Sequence, residues 1–413
     1  MISNKTKSKM FFWTVIICIL ETIIIFFMAR YFLNKHISES ALNNASTSSA
    51  VFSYENIDLD ADSNRLYARN NDSKVYFTID PEMQLLSEEL MIKYDPVIGV
   101  FVAIEPETGK VLVMSVYSRK SSATIINYPY SSFIDPISRT STYPMASISK
   151  LITASAAIRN NLYNSRDVFD CDGRLELEDG SVSDPTGVHH GRITMSDALA
   201  KSCNTTFGKI ALKVGRENLL NEFHNFGFNS EIPFDLPVTE SRAFFSEGKL
   251  SLARAGAGFH GANISPLHAA MIAASIANKG IMMKPYIIDS IASDEKSLYS
   301  STKQKLFEPI NKNIAGVIEK MMNSTVNKKG CTAYRGFYIN NKYIAGNTRI
   351  VGKTGSISGN NSLEHYAWFV GHVTSGNPDI AFAAMIVNDD KWKIKAASYT
   401  GQFFQGVSGL QNK

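Results

Sequence analysis

Three short runs in this sequence combine hydroxyl, amine and amide side chains at spacings that suit attack on a carbonyl carbon. The first is Ser147-Ile148-Ser149-Lys150, inside YPMASISKLITASAAI. If Ser147 opens a helix, Lys150 follows one turn later, about 4.5 Å along the axis and on nearly the same face, so its amine reaches the hydroxyl. A serine beside a neutral amine is an activated nucleophile. The same S-x-x-K spacing recurs at Ser246, Ser293 and Ser300, so spacing alone does not choose among them. The Ala- and Ile-rich stretch after Lys150 does: it would bury that lysine and lower its pKa by desolvation, whereas the other three sit in polar, loop-like sequence.

The second run is Ser202-Cys203-Asn204, in a helix-like segment of small residues. A hydroxyl and an amide there could relay a proton and hold a substrate amide, and helix-end capping is the plain alternative. The third is Lys353-Thr354-Gly355-Ser356 in RIVGKTGSISG. Its apolar flanks place it on a strand, where Gly355 would leave room for a ligand backbone. The Thr354 and Ser356 hydroxyls and the lysine charge suit a terminal carboxylate, and an ordinary edge strand is the alternative. Chance alone does not readily put the three in this order, 55 and about 150 residues apart, each in suitable local sequence.

The elements that would position these groups can be read coarsely. VYFTIDPEMQ, from Val75, is a strand leading into a helix, with Asp80 as N-cap and Pro81 at the first helical position. VIGVFVAI (97–104) and KVLVMSV (110–116) flank EPETG as a hairpin, and AWFVGHV (367–373) with AFAAMIV (381–387) form a second. Between them lie the helical stretches SKLITASAAIRN, MSDALAKSCNTTFGKIALKVG and PLHAAMIAASIANKG. Strands at both ends with helices between predict an α+β arrangement, an antiparallel sheet covered by helices.

Ahead of this domain, assigned to 75–413, residues 34–74 are polar and include ALNNASTSSA, which reads as a linker. Residues 11–33, FFWTVIICILETIIIFFMARYFL, are long and apolar enough at about 1.5 Å per residue to cross a bilayer core of about 30 Å. They predict one N-terminal transmembrane anchor rather than a cleaved signal, because no small-x-small site follows closely. Lys5, Lys7 and Lys9 keep residues 1–10 in the cytoplasm and place the rest outside, in the manner of a single-pass protein of the bacterial cytoplasmic membrane. Glu21 falls near mid-membrane, where an ionised acid is costly, so it is neutral there or meets another helix.

With 44% hydrophobic and 19% charged residues the chain can build a large core, and a net charge of +4 without a Lys/Arg run after the first segment does not suggest a nucleic-acid partner. Cys171, Cys203 and Cys331 lie beyond the anchor and permit one disulfide at most. Their spacing matches no zinc motif, and His189-His190 lacks Cys or carboxylate company in the sequence, so no metal and no cofactor are expected.

Taken together, the motifs resemble the transpeptidase domains of class B penicillin-binding proteins. TIDPEMQ, AIEPETGKVLVM, the stretch AGAGFHGANISPLHAAMIAASIANKGIMMKPYII and GKTGS followed by HYAWFVG extend the resemblance over roughly the last 330 residues. It implies a fold of the penicillin-binding protein and serine β-lactamase type, with an all-helical subdomain beside the sheet. It also implies an acyl-enzyme at Ser147 on the D-Ala-D-Ala end of a peptidoglycan stem peptide, resolved by an amine and stalled by β-lactams. Lys150 would deprotonate Ser147, Ser202 would pass the proton on, and Asn204 would orient the substrate. Lys353 would supply positive potential, Thr354 and Ser356 would bind the carboxylate, and the N–H groups of Ser147 and Ser356 would form the oxyanion hole.

Two local departures stand out. Met145-Ala146 replaces the Pro-Gly often found before the serine, which predicts a less tightly turned approach, and Ser356 stands for the usual second threonine. The family's pedestal and any glycan-polymerising domain have no room in this length, so a SEDS-family polymerase contacting the anchor is the expected partner. Rival readings are a D,D-carboxypeptidase, which would use water as acceptor, a membrane-bound β-lactam sensor or inactive scaffold, and a β-lactamase. The last is invited by Glu217-Asn218-Leu219-Leu220-Asn221, but two surface neighbours on one helix explain that run equally well.

Overall fold

The computed structural model describes residues 54–293, 296–358, 364–375 and 379–410. The expected anchor at 11–33, Glu21 and the polar residues up to 53 lie outside the described residues. Among the described residues no helix is long and apolar enough to cross a membrane.

The two hairpins predicted at opposite ends of the domain join in one antiparallel sheet. Its strands lie in the spatial order Arg349–Ser358, His365–Ser375, Ala381–Asn388, Ile98–Ile104, Val111–Ser118. Ala381–Asn388 pairs on one side with His365–Ser375 and on the other with Ile98–Ile104, in register Ala383↔Val102 and Met385↔Val100. All eight residues of that strand are buried, and its run AFAAMIVN is apolar almost throughout, as expected where both faces of a sheet are covered. Alternate residues feed separate cores: Val100 and Val102 join one, Phe101 and Ala103 the other.

The helix Pro266–Ala277 covers the first face, packing on the three middle strands with eleven residues buried. Its start follows from sequence, because Ser265 accepts the His268 N–H and Pro266 fills the first position, where no intrahelical N–H is needed. The helices Pro81–Tyr94 and Ala396–Leu410 cover the other face, where Phe403 and Tyr399 pack on Phe101. Asp80 caps the first of these by accepting the Met83 N–H at 2.9 Å.

Three expectations need correction. The ordered domain does not begin at Val75: Ile57–Asp60, Arg65–Asn70 and Ser73–Phe77 are strands of a second five-stranded sheet completed by Ile288–Ser293 and Ser297–Ser300. Their polar, exposed faces mimic linker sequence, while Leu66, Ala68, Val75 and Phe77 turn inward to the core. The subdomain beside the main sheet is not all helical, because it carries the ribbons Val168–Cys171 with Gly191–Thr194 and Arg174–Leu177 with Gly180–Ser183. Finally, the stretch from Met195 to Val214 is two helices, Met195–Ala200 and Asn204–Val214, broken at Ser202, whose φ is +60°.

Candidate active site

Ser147 sits in a single 3-10 turn, Ala146–Ser149, that runs directly into the helix Lys150–Arg159. Eight of that helix's ten residues are buried, the polar Lys150, Thr153 and Ser155 among them, so its neighbours enclose it on nearly all sides. Lys150, at its first position, is fully buried. Its Nζ lies 2.7 Å from Ser147 Oγ, 2.9 Å from Asn204 Oδ1 and 2.5 Å from the Ala257 carbonyl oxygen. Burial pulls its pKa down to about 7. The partner set suits the neutral form: two N–H bonds go to the acceptors Asn204 Oδ1 and Ala257 O, and the lone pair remains for the Ser147 hydroxyl proton.

The approach to the serine is tight, contrary to the expectation from Met145-Ala146. Ala146 adopts φ +51°, the left-handed turn that glycine would take without strain. Neighbouring glycines make that turn possible. A Cβ on Gly258 would stand 2.2 Å from the Ala146 carbonyl oxygen, and one on Gly355 would stand 3.3 Å from the Ala146 Cβ and Ile148 Cγ2. The space left by Gly355 is therefore taken by the turn that carries Ser147 and not by a ligand. The Trp368 indole, paired across the sheet with Gly355, donates to the Pro144 carbonyl at 3.0 Å and ties that turn to the sheet.

Lys353 is also fully buried, with Nζ 2.9 Å from Ser202 Oγ and 2.6 Å from the Thr354 carbonyl oxygen. Burial first, and the nearby Lys150 second, hold its pKa well below the ordinary lysine range. Lys353 serves Ser202 as a hydrogen-bond partner. Among the described residues the strand Arg349–Ser358 that carries it is the sheet's edge, paired only with His365–Ser375. Thr354 donates to Thr332 Oγ1 at 2.6 Å, and Ser356 is exposed.

Ser147, Ser202, Asn204, Thr354 and Ser356 line one cleft of about 450 Å³, together with Asp184, His190 and Thr332. Residues of all three motifs thus meet at one cleft. Asn204 also has partners within the protein: its Oδ1 accepts from Lys150 at 2.9 Å and its Nδ2 donates to the Ser183 carbonyl at 2.9 Å. It positions the lysine before any substrate arrives.

Sequence reasoning missed Asp184 and Thr332. Asp184 accepts the Asn204 N–H at 2.6 Å and the Thr205 hydroxyl at 2.6 Å, clamping the start of the helix that carries Asn204. It also lies with Cys171, His190 and Cys203, whose ligand-type atoms all fall within 4.8 Å of one another. The histidine dismissed for lacking Cys or carboxylate company therefore has both, supplied from elements distant in sequence. Cys171, Cys203 and Cys331 are free thiols. Glu217 and Asn221 are exposed on the helix Arg216–Asn225 and line no part of the cleft. The buried acid of that helix is Glu222, held by Arg159 at 2.6 Å.

The sequence profile described as the penicillin binding protein transpeptidase domain matches residues 99–406. The chain belongs to that family. Among its relatives, peptidoglycan D,D-transpeptidase PbpA of Mycolicibacterium smegmatis is 25% identical over 338 residues, which cover 75% of this chain and 66% of that protein. Stage V sporulation protein D of Bacillus subtilis is 24% identical over 330 residues, 75% of this chain and 49% of that one. The chain thus spans less than two thirds of these curated relatives. Penicillin-binding protein A from M. tuberculosis, solved as an imipenem acyl-enzyme complex, shares the fold with a TM-score of 0.69 at 23% identity, over 82% of this chain and 79% of that one.

Proposed function

We propose that this protein is a peptidoglycan D,D-transpeptidase that acts through an acyl-enzyme at Ser147. The observation that carries the reading is the Lys150 amine, 2.7 Å from Ser147 Oγ, with its N–H bonds directed to two other acceptors. Neutral Lys150 takes the hydroxyl proton as Ser147 Oγ bonds to the carbonyl carbon between the two D-alanines of a stem peptide. The C–N bond to the terminal D-alanine then breaks, and Ser202, poised on Lys353, passes a proton to the departing amine. An amine of a second stem attacks the ester, restoring Ser147 and forming the cross-link. The N–H groups of Ser147 and Ser356 would hold the oxyanion, each worth about 2.7 to 4 kcal/mol in such sites.

The open edge of Arg349–Ser358 suits a peptide lying alongside it as an added strand, with the terminal carboxylate at Thr354 and Ser356. A β-lactam, mimicking the dipeptide, would stop at the acyl stage. The relative named D,D-transpeptidase and the acyl-enzyme structure of the other support this reading. In the same proposal residues 11–33 anchor the domain outside the cytoplasmic membrane, where Glu21 would meet a SEDS-family polymerase. Glu21→Leu should then reduce co-purification of that polymerase, and equal recovery would remove the contact.

The decisive experiment incubates the full chain in detergent with stem pentapeptide and an acceptor amine and resolves the products. Cross-linked dimer is expected. Release of D-alanine with only tetrapeptide would assign the chain to the D,D-carboxypeptidases, and no release would overturn the acyl-transfer reading.

A further inference from the structure

Four elements around the second motif each deliver one metal-binding atom to a single point. Cys171 ends the strand Val168–Cys171, Asp184 follows the strand Gly180–Ser183, His190 precedes the strand Gly191–Thr194, and Cys203 caps the helix Asn204–Val214. Backbone bonds fix them without help from any ligand: His190 N–H reaches the Cys171 carbonyl at 3.1 Å, and Asp184 N–H the Gly173 carbonyl at 2.9 Å. Cys171 Sγ lies 3.2 Å from Cys203 Sγ, 3.4 Å from His190 Nδ1 and 3.4 Å from Asp184 Oδ2, and Cys203 Sγ is 3.4 Å from the same oxygen.

These separations are nearly the edges of a zinc tetrahedron. Zn–S bonds of about 2.3 Å and Zn–N or Zn–O bonds of about 2.0 to 2.2 Å place ligand atoms about 3.4 to 3.8 Å apart. The four edges named need about half an ångström of expansion or less, and His190 lies within 4.8 Å of Asp184 and Cys203. Two thiolates, an imidazole and a carboxylate are a borderline-soft donor set that favours zinc over calcium or magnesium, which take oxygen ligands. An outer shell is already in place: Thr205 Oγ1 donates to Asp184 Oδ2, and Thr206 N–H and Oγ1 lie 3.3 and 3.1 Å from Cys203 Sγ.

We infer that Cys171, Asp184, His190 and Cys203 bind one zinc ion, and that the ion fixes the Ser202–Asn204 turn of the active site. Four protein ligands fill the tetrahedron, so the ion is structural and activates no water. Its influence on the reaction runs through two short links. Cys203 stands between Ser202 and Asn204, and the second oxygen of Asp184 accepts the Asn204 N–H at 2.6 Å. Asn204 in turn holds Lys150 at 2.9 Å. Zinc is thus connected to the base by covalent neighbours and two hydrogen bonds, while standing outside the chemistry.

The test uses the full chain in detergent, without a polyhistidine tag, isolated under reducing conditions and dialysed. Plasma mass spectrometry should find about one zinc per chain. Cys171→Ser and His190→Ala should each weaken zinc affinity at least about 100-fold against a competing chelator. Because such variants can fold poorly, wild type reloaded with cobalt(II) supplies a second readout: thiolate-to-cobalt charge transfer and intense tetrahedral d–d bands. Background zinc, absent charge-transfer bands, or a Cys171–Cys203 disulfide in a parallel sample isolated without reductant and trapped by thiol alkylation would each overturn the site. Stripping zinc should slow labelling by fluorescent penicillin at least about tenfold, with recovery on zinc addition, and unchanged labelling would overturn the link to the second motif. A chain that holds zinc yet never labels would count against the proposed function and leave the zinc site standing.

Discussion

The turn that presents Ser147 and the turn that presents Ser202 are held by opposite means. Around Ser147 the restraints are steric: Gly258, Gly355 and Ile148 leave space for one backbone path, and the Trp368 indole closes it. Around Ser202 they are polar: Asp184, Cys171, Cys203 and His190 gather within hydrogen-bond or ligand distance. Both turns force a non-glycine residue left-handed, Ala146 at +51° and Ser202 at +60°, each at a cost of about 1 to 2 kcal/mol. Strain of this kind survives only where the surroundings over-determine it. Shape complementarity offers one state, whereas a cluster of thiols, a carboxylate and an imidazole has groups that can take up a proton or a ligand, so the Ser147 side is the more rigidly specified of the two.

The most severe way to break the steric side is Ser147→Ala, which should cut labelling by fluorescent penicillin by at least about 10³-fold. Labelling that persists would place the nucleophile elsewhere. Gly258→Ala keeps every catalytic group but drives a Cβ into the Ala146 carbonyl. Thermal unfolding should report a loss of about 2 to 4 kcal/mol. On the polar side, Asp184→Ala leaves the Asn204 N–H without its acceptor, and calorimetry should show about 1 to 3 kcal/mol of destabilisation together with slower acylation.

Acidity sharpens the contrast further. Lys150 must be neutral to take the Ser147 proton, and its pKa is about 7. Below that value the protonated fraction grows, so acylation should fall about tenfold per pH unit and level off above it. A flat profile would remove Lys150 as the base. The smallest effect is expected of Ala146→Gly, which relieves the left-handed strain but adds freedom to the unfolded chain, for a net gain of under about 1 kcal/mol in chemical denaturation.

The same contrast explains what could be read in the sequence. Ser147 and Lys150 are one turn apart, so their meeting is a local fact that spacing reveals. Apolar flanks likewise placed Lys353 on its strand. The break at Ser202 was hidden because MSDALAKSCNTTFGKIALKVG keeps a helical rhythm across it, and only the polar run Lys201 to Thr206 inside that rhythm signals a turn. Asp184 and Thr332 were invisible because their partners are set by tertiary packing. Arg65–Asn70 was taken for linker because a strand with one wet face carries as many polar residues as a tether.

The sheets have a consequence for how this protein comes into being. Ser73–Phe77 waits for Ile288–Ser293, and Ile98–Ile104 waits for Ala381–Asn388, so neither sheet can close while most of the chain is still being made. Contacts so distant in sequence slow folding and delay it to the end. Lys353 sits on the strand Arg349–Ser358, itself made late, and until it docks on Ser202 the Ser147 hydroxyl has its amine but no enclosed cleft. The order of synthesis therefore keeps a reactive hydroxyl silent until the domain is complete.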